Sequence, residues 1–267
     1  MAQPDQRRLA DAHRREQALI AAALTRDLVR LFRALFRPAY PGPSWQAVRM
    51  AAAALIRDRR RQSAEVAGRY YRAARAAAAA PGSVRLVVPL ELPEERLFAN
   101  VDATGIGAYS RAVRAGATPG KAGEVAAVNL SGAGSRLVLE GGRSVVAETA
   151  KDDADALGWA RVTDADPCSW CLMLASRGAV YRSAGTAGRL KNDRFVGDGQ
   201  FKFHDHCSCA AAPVWDPRDA VLDRADDLYT QWLEVTAGHS GQDAIRVWRR
   251  YWDAKRDGQL PARPGGS

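Results

Sequence analysis

Two short segments near the C-terminal end decide the fold. Residues 166–171 have the sequence Asp-Pro-Cys-Ser-Trp-Cys, and residues 204–209 have the sequence His-Asp-His-Cys-Ser-Cys. Together they hold all four cysteines of the 267-residue chain and two of its four histidines. A pair of cysteines two residues apart binds one metal ion from a tight turn, and a second compact pair completes a tetrahedron around zinc. The spacing therefore predicts a loop clamped at both ends by a metal.

The candidate ligands outnumber the four positions of a tetrahedral site. They are Cys168, Cys171, His204, Cys207 and Cys209, with His206 as a sixth. Side chains alternate along an extended chain, so the last two cysteines can share one side, as can the two histidines. The feasible sets are Cys168, Cys171 and Cys209 together with either His204 or Cys207. A complete shell of cysteine and histidine leaves no open position, so the predicted zinc is structural. The alternative is four reduced cysteines packed without a metal.

A cysteine hydrolase would use the same residue types. His204 or His206 would activate one thiol, and Asp205 or Asp166 would orient the imidazole. Such a nucleophile needs no three further cysteines beside it, and the sequence contains no recognisable nucleophile elbow. The pattern therefore favours a structural site over a catalytic one.

The positive charge of the chain is concentrated at its N-terminal end. Residues 1–80 contain 16 arginines and 6 acidic residues, a net charge of +10, whereas the whole chain carries +9. Such a bias favours a polyanionic partner such as DNA, and a solvated helix face is the alternative. The N-terminus is too polar for a signal peptide, and no segment has the length of apolar sequence that a membrane span needs. In the cytoplasm, where we expect the protein to be made, cysteines stay reduced or bind metals.

Two long helices are predicted for this basic part. Apolar residues recur every three or four positions from Ile20 to Leu35, which places them on one helical face, and prolines from Pro38 onward end the helix. Ser44 is a suitable N-cap for a second helix that runs to about residue 80. The candidate nucleic-acid-binding residues lie in this second helix: Arg57, Arg59, Arg60 and Arg61.

Shorter elements are predicted for the rest of the chain. A strand or extended linker covers 84–92, and helices cover 93–114, 119–131 and 135–153, separated or weakened by glycines. Strands are expected at 157–162, 179–181 and 210–215, a short helix at 171–176, and an exposed loop at 183–200. Two helices at 219–236 and 242–257 precede a disordered tail.

These elements predict an α+β protein that is mostly α. A helical N-terminal part would precede a small β-containing domain held by a Cys/His zinc site. The predicted units are a basic helical hairpin (1–80), a helical middle region (81–155), a zinc-knuckle domain (156–215), C-terminal helices (216–260) and a tail (261–267).

Several motifs resemble a known family. Residues 158–162 (Gly-Trp-Ala-Arg-Val), the two cysteine segments, residues 174–181 and Pro213-Val214 are similar to the Mu-F-like head morphogenesis proteins of tailed phages, in the form found in phages of actinobacteria. The resemblance covers about residues 135–215. The family pattern ends in a His-x-x-Cys-x-Cys box, which corresponds to His204, Cys207 and Cys209 and leaves His206 as the variable position.

The resemblance implies a minor capsid protein that is built into the phage head near the portal. Its expected partners are the portal protein, the major capsid or scaffold protein and packaged double-stranded DNA, and its expected location is inside the capsid of the virion. Relatives of this kind are often labelled capsid maturation proteases, which makes a protease the alternative function. The sequence shows no serine, histidine and acid arrangement that supports the label, so we expect no enzymatic activity. A nucleic-acid-binding protein is the second alternative.

Overall fold

The computed structural model describes residues 3–88, 91–163, 166–179, 205 and 207–259. The helices are α1 (Gln3–Leu35), α2 (Pro41–Ala77), α3 (Glu94–Thr104), α4 (Ile106–Arg114), α5 (Pro119–Asp152), α6 (Ser169–Ala175), α7 (Asp223–Val235) and α8 (Gly241–Arg256). The strands are β1 (Gly158–Val162) and β2 (Ala210–Val214), and a 3₁₀ turn at Ala220–Leu222 precedes α7. The predicted class, mostly helical with a small β component, is confirmed.

The three long helices α1, α2 and α5 pack against one another and form the bundle. The buried face of α1 follows steps of four residues through Ile20, Leu24, Leu28 and Phe32, and Phe36 continues it just after the end of the helix. The sequence analysis had continued this face through Leu31 and Leu35 instead. Leu31 is only half-buried and Leu35 is 37% exposed, because the two phenylalanines bring more apolar area into the core.

The prediction that glycines separate two helices within 119–153 is wrong, because α5 runs through them without a break. These glycines let α1 and α2 approach α5 closely. A Cβ on Gly142 would lie 2.7 Å from Ser63 Oγ, and one on Gly141 would lie 2.7 Å from the Arg60 carbonyl oxygen. A Cβ on Gly134 would lie 2.9 Å from a methyl carbon of Leu28. Tight packing therefore outweighs the low helix propensity of glycine here.

One predicted helix is divided into two. The segment predicted as a single helix over 93–114 changes direction at Gly105, where α3 ends and α4 begins. A Cβ at this position would lie 1.9 Å from the indole ring of Trp45. Gly105 therefore lets the chain pass over a buried tryptophan of α2. Residues from both sides of position 80 share this first hydrophobic core.

The two strands form a second core against the bundle. They pair antiparallel, with Gly158 opposite Val214 and Val162 opposite Ala210, and every strand residue is buried. Trp159 is among the largest fully buried side chains and packs in a cluster with Tyr71 of α2. The strands predicted at 157–162 and 210–215 are thus confirmed, whereas the one predicted at 179–181 lies almost entirely outside the described residues.

A buried ion pair joins the end of α2 to the end of α5. Arg75 Nε donates to Asp153 Oδ2 at 3.0 Å, and its Nη2 donates to Asp155 at 2.6 Å. The same guanidinium also donates to the carbonyl oxygens of residues 80–82. Because every branch of the guanidinium has an acceptor, the desolvation of this charge is compensated.

The last two helices pack on α6 and make a third, aromatic cluster. Trp248 of α8 is buried against α6 and donates its indole N–H to the Ser169 carbonyl oxygen at 2.8 Å. Trp232 and Trp252 lie edge-on to its ring. The two predicted C-terminal helices are therefore present, whereas the predicted loop at 183–200 and tail at 261–267 lie outside the described residues. None of the helices in the described part of the chain combines the length and apolar character that a bilayer crossing requires.

Candidate metal centre

The pairing of the two strands brings the two cysteine segments together. Cys168 caps the N-terminus of α6, and Cys171 lies in the first turn of that helix. Cys207 and Cys209 directly precede β2, whose first residue pairs with the last residue of β1. The chain needs only six further residues after β1 to reach Cys168, so both segments meet at the same end of the sheet.

Three of the sulfur atoms form a closed group. The Sγ atoms of Cys171, Cys207 and Cys209 all lie within 4.8 Å of one another, and those of Cys171 and Cys207 are 3.5 Å apart. These residues are 1%, 5% and 3% exposed. Zinc binds thiolate at about 2.3 Å, which places two sulfurs of a tetrahedral site about 3.8 Å apart. The three sulfurs therefore fit a zinc ion without rearrangement of the backbone.

Of the two ligand sets that the sequence predicts, the one formed by Cys168, Cys171, Cys207 and Cys209 contains all three of these sulfurs. Cys168 is half-buried, packs against the other three cysteines and accepts a hydrogen bond from the Cys171 amide at 3.4 Å. His204 and His206 lie outside the described residues, so their place relative to the sulfurs stays a prediction. Asp205, between them, is exposed and accepts from Arg136 Nε of α5 at 2.7 Å. The structure thus brings all four cysteines together.

Two buried arginines that the sequence analysis did not identify support the cluster. Arg143 of α5 donates from Nε and Nη2 to the Cys209 carbonyl oxygen and from Nη2 to that of Cys207, at 2.7 to 3.0 Å. Arg161 of β1 directs Nη1 toward Cys171 Sγ at 3.8 Å. Such residues orient the ligand-bearing backbone behind the metal ligands. No spacing rule distinguishes them, because the chain contains 34 arginines.

The thiols of the cluster do not titrate alike. Hydrogen bonds from Cys171 and Cys209 lower the pKa of Cys207, and the charges of Arg143 and Arg161 lower it further, against the effect of burial. The pKa of Cys171 is raised, chiefly because its thiol is hydrogen-bonded to Cys168 and then to the other two sulfurs. Burial lowers the pKa of Arg143 to about 10. One thiolate therefore forms readily, whereas several adjacent thiolates need a bound cation to balance their charge.

A catalytic role for these thiols conflicts with their burial. A nucleophilic cysteine must be reachable by its substrate and lies in a partly exposed, electropositive setting. The three cysteines of the closed group are buried and pack against one another. Cys168, at the border of the group, is the most accessible. Burial therefore favours a structural role for the three sulfurs over a catalytic one.

The four arginines predicted to bind nucleic acid lie in different surroundings. Arg60 is turned inward and donates to the Leu137 carbonyl oxygen at 2.7 Å. Arg57 pairs with Glu94 at 3.5 Å, Arg59 with Asp27 at 3.2 Å, and Arg61 with Asp58 at 3.5 Å. The structure therefore does not gather them into one free basic patch, and their role in DNA binding stays a prediction.

Comparison with known proteins gives a family and two phage relatives. The family model described as VG15 protein matches residues 4–235. The Gene 15 protein of Mycobacterium phage L5 is 34% identical over 35% of this chain and 42% of its own length. The Gene 15 protein of Mycobacterium phage D29 is 32% identical over 34% of this chain and 42% of its own length. The chain thus matches less than half the length of these curated relatives. No solved structure gives a significant match.

Proposed function

The chain belongs to the VG15 protein family, and we propose that it is a minor capsid protein of a tailed phage that acts in head morphogenesis and contains a structural zinc site. The observation that carries the proposal is the buried sulfur group of Cys171, Cys207 and Cys209. It lies at the same motifs through which the sequence resembles the Mu-F-like head proteins. The relatives named Gene 15 protein come from phages, which agrees with a phage role.

The zinc would be held by Cys171, Cys207 and Cys209, with Cys168 or His204 as the fourth ligand. When bound, zinc supplies a charge-neutralising cross-link and no reactive position, since four Cys/His ligands fill its tetrahedron. Contacts within the chain hold the two cysteine segments in place. Arg143 fixes the carbonyl oxygens of the second cysteine segment to α5, and the β1–β2 pairing keeps the two segments side by side.

We place the protein inside the head near the portal, in contact with the portal protein and the major capsid or scaffold protein. The bundle offers a rigid body for such contacts, because its helices share a continuous core. Contact with packaged DNA is part of the proposal. It rests on the excess of arginine in residues 1–80 and not on a defined patch.

Locating the protein in purified phage particles tests this function. Procapsids and DNA-filled virions would be purified and treated with protease from outside, and the chain would then be quantified by mass spectrometry against the portal protein. We expect a low copy number that is protected from protease in both particles. Absence from both particles, with the protein recovered only from the free lysate, would contradict the proposal.

A co-expression experiment tests the protease alternative. The chain would be co-expressed with the major capsid protein of its phage, as wild type and as Cys168→Ala. We expect the major capsid protein to stay uncleaved with both. Cleavage by the wild type that is lost in a folded Cys168→Ala variant would establish a thiol protease instead.

A further inference from the structure

Residues 83–88 form an extended segment whose backbone is almost unpaired. The sequence Ser-Val-Arg-Leu-Val-Val lies over the seam between α2 and α5, where Leu86 rests on Gly68 and the Val87 amide donates to Thr149 Oγ1 at 3.0 Å. No backbone–backbone hydrogen bond of this segment exists within the described chain. A β-branched extended segment with free N–H and C=O groups is an open edge to which another strand can add.

The surface around this segment contains three hollows that all border Val88. They measure about 640, 520 and 180 Å³. The hollow of 520 Å³ has a floor of apolar side chains and glycine, contributed by Ala64, Gly68, Leu86, Val88 and Val145. Val88 itself is 74% exposed. Apolar surface of this kind beside an open backbone edge provides places for alternate side chains of an added strand.

A row of arginines borders the apolar hollow. Arg61, Arg69 and Arg72 lie along one face of α2, and Glu65 is the acidic residue that lines the same hollow in the described part of the chain. Arg61 and Arg69 have exposed partners at 3.5 and 3.9 Å, which are weak at such exposure. Arg72 has no ion pair or hydrogen bond within the described chain and is exposed. The rim therefore attracts a negatively charged occupant.

We propose that residues 83–88 bind an extended acidic segment of a partner protein by β-strand addition. The backbone of the added strand pairs with the open edge. Its apolar side chains enter the apolar hollow of 520 Å³ beside Val88, and its Asp or Glu side chains lie toward Arg69 and Arg72 at the rim of that hollow. This surface lies away from the cysteine site, and the inference does not depend on the function proposed above.

A protein strand fits this surface better than DNA does. Protein–DNA interfaces are polar, wet and lined by cations. Here the exposed Val88 and the apolar floor of the hollow would lie against phosphates and gain nothing. An acidic strand satisfies the arginines, the open backbone and the apolar floor together.

Fluorescence anisotropy with short labelled peptides tests the proposal on the full chain. The probe is a blocked seven-residue peptide that alternates Glu and Val. The first comparison peptide replaces Glu with Lys, and the second replaces Val with Pro, which keeps the charge but removes the apolar side chains and the N–H donors at those positions. We expect the Glu-Val peptide to bind at least about tenfold more tightly than either comparison peptide.

Two matched double variants locate the binding site. Arg69→Gln with Arg72→Gln neutralises the rim, whereas Arg26→Gln with Arg30→Gln removes the same charge from exposed positions on α1. We expect about tenfold weaker binding of the Glu-Val peptide by the first variant and a change below about twofold by the second. Equal losses in both variants, or no preference for the Glu-Val peptide, would overturn the proposal. Tighter binding of a DNA duplex with the same dependence on the rim would assign the surface to nucleic acid instead.

Discussion

The bundle and the cysteine region are held together by different forces. In the bundle, α1, α2 and α5 bury long apolar side chains and meet at glycines, so burial and close packing suffice. In the cysteine region, two strands of five residues and the seven-residue α6 converge on sulfur atoms and two buried arginines. A sheet of two short strands is marginal alone. We therefore expect the small region to depend on the proposed zinc cross-link and the bundle to be stable without it.

Removal of the proposed zinc should give the largest effect. This effect should be confined to the cysteine region. A tight chelator would withdraw the proposed zinc, and the sulfurs, reprotonated and without a common ligand, would no longer hold α6 to the segment before β2. Hydrogen exchange followed by mass spectrometry should show amides of 166–179 and 207–214 exchanging at least about 100-fold faster.

The bundle is the internal control for this experiment. Amides in the middle of α2 and α5 should keep their protection in chelator. Loss of protection that is equal in both regions would mean that they unfold as one unit and that the proposed division of forces is wrong.

Removal of a buried apolar side chain should destabilise the bundle. Leu28 of α1 is completely buried and lies close to Gly134 of α5, so Leu28→Ala should lower the free energy of unfolding by about 2–5 kcal/mol. Leu19 lies on the same helix and is 70% exposed, so Leu19→Ala should change the free energy of unfolding little. Urea unfolding followed by circular dichroism measures both. Similar losses in the two variants would show that α1 is not packed as described.

Adding a methyl group where the helices meet at glycine should destabilise the bundle by a smaller amount. A Cβ at Gly142 would lie 2.7 Å from Ser63 Oγ and from Gln17 Nε2, so Gly142→Ala should cost about 1–3 kcal/mol through overpacking. Gly120, in the first turn of α5, has no atom within 4 Å of its Cβ position. Gly120→Ala should be neutral or stabilising by up to about 1 kcal/mol. Thermal melts of both variants would check this, and a stabilising Gly142→Ala would contradict it.

The pH dependence of the bundle gives the smallest effect near neutral pH. Burial lowers the pKa of His13 from 6.5 to about 3. The imidazole ring stacks on the ring of Tyr70, with 4.3 Å between the two ring centroids. Below pH 6.5 the unfolded chain binds a proton that the folded chain does not, so stability falls as the pH falls. The expected loss is about 1 kcal/mol between pH 6.5 and 5.5 and approaches about 1.4 kcal/mol per pH unit below that.

A matched variant isolates this contribution. Burial raises the pKa of Asp219 to about 6, which acts in the opposite direction by adding stability as the pH falls from about 6 toward 3.8. His13→Gln removes only the histidine and leaves Asp219 in place. Urea unfolding at pH 6.5 and 5.5 should show a steeper loss in the wild type than in His13→Gln. Equal slopes would mean that His13 is not buried in neutral form.

Much of the fold could be predicted from the sequence because it depends on local patterns. The cysteine spacing identified the sulfur group, prolines from Pro38 onward marked the end of α1, and the segment 157–162 was recognised as a strand. The glycines of α5 were misjudged because a helix-breaking residue and a close-packing residue look the same without knowledge of the facing helix. Arg143 was missed for the same reason, since its acceptors lie about 65 positions away along the chain.

Metal content, measured on the purified chain and on one cysteine variant, tests the central claim most directly. Native mass spectrometry of wild type should give a mass increase of one zinc ion per chain, and Cys171→Ser, which removes a buried sulfur from the centre of the group, should give none. Circular dichroism should show that the helices of the bundle persist in the variant. A wild-type chain without zinc, whose folding is also unchanged in chelator, would contradict the account.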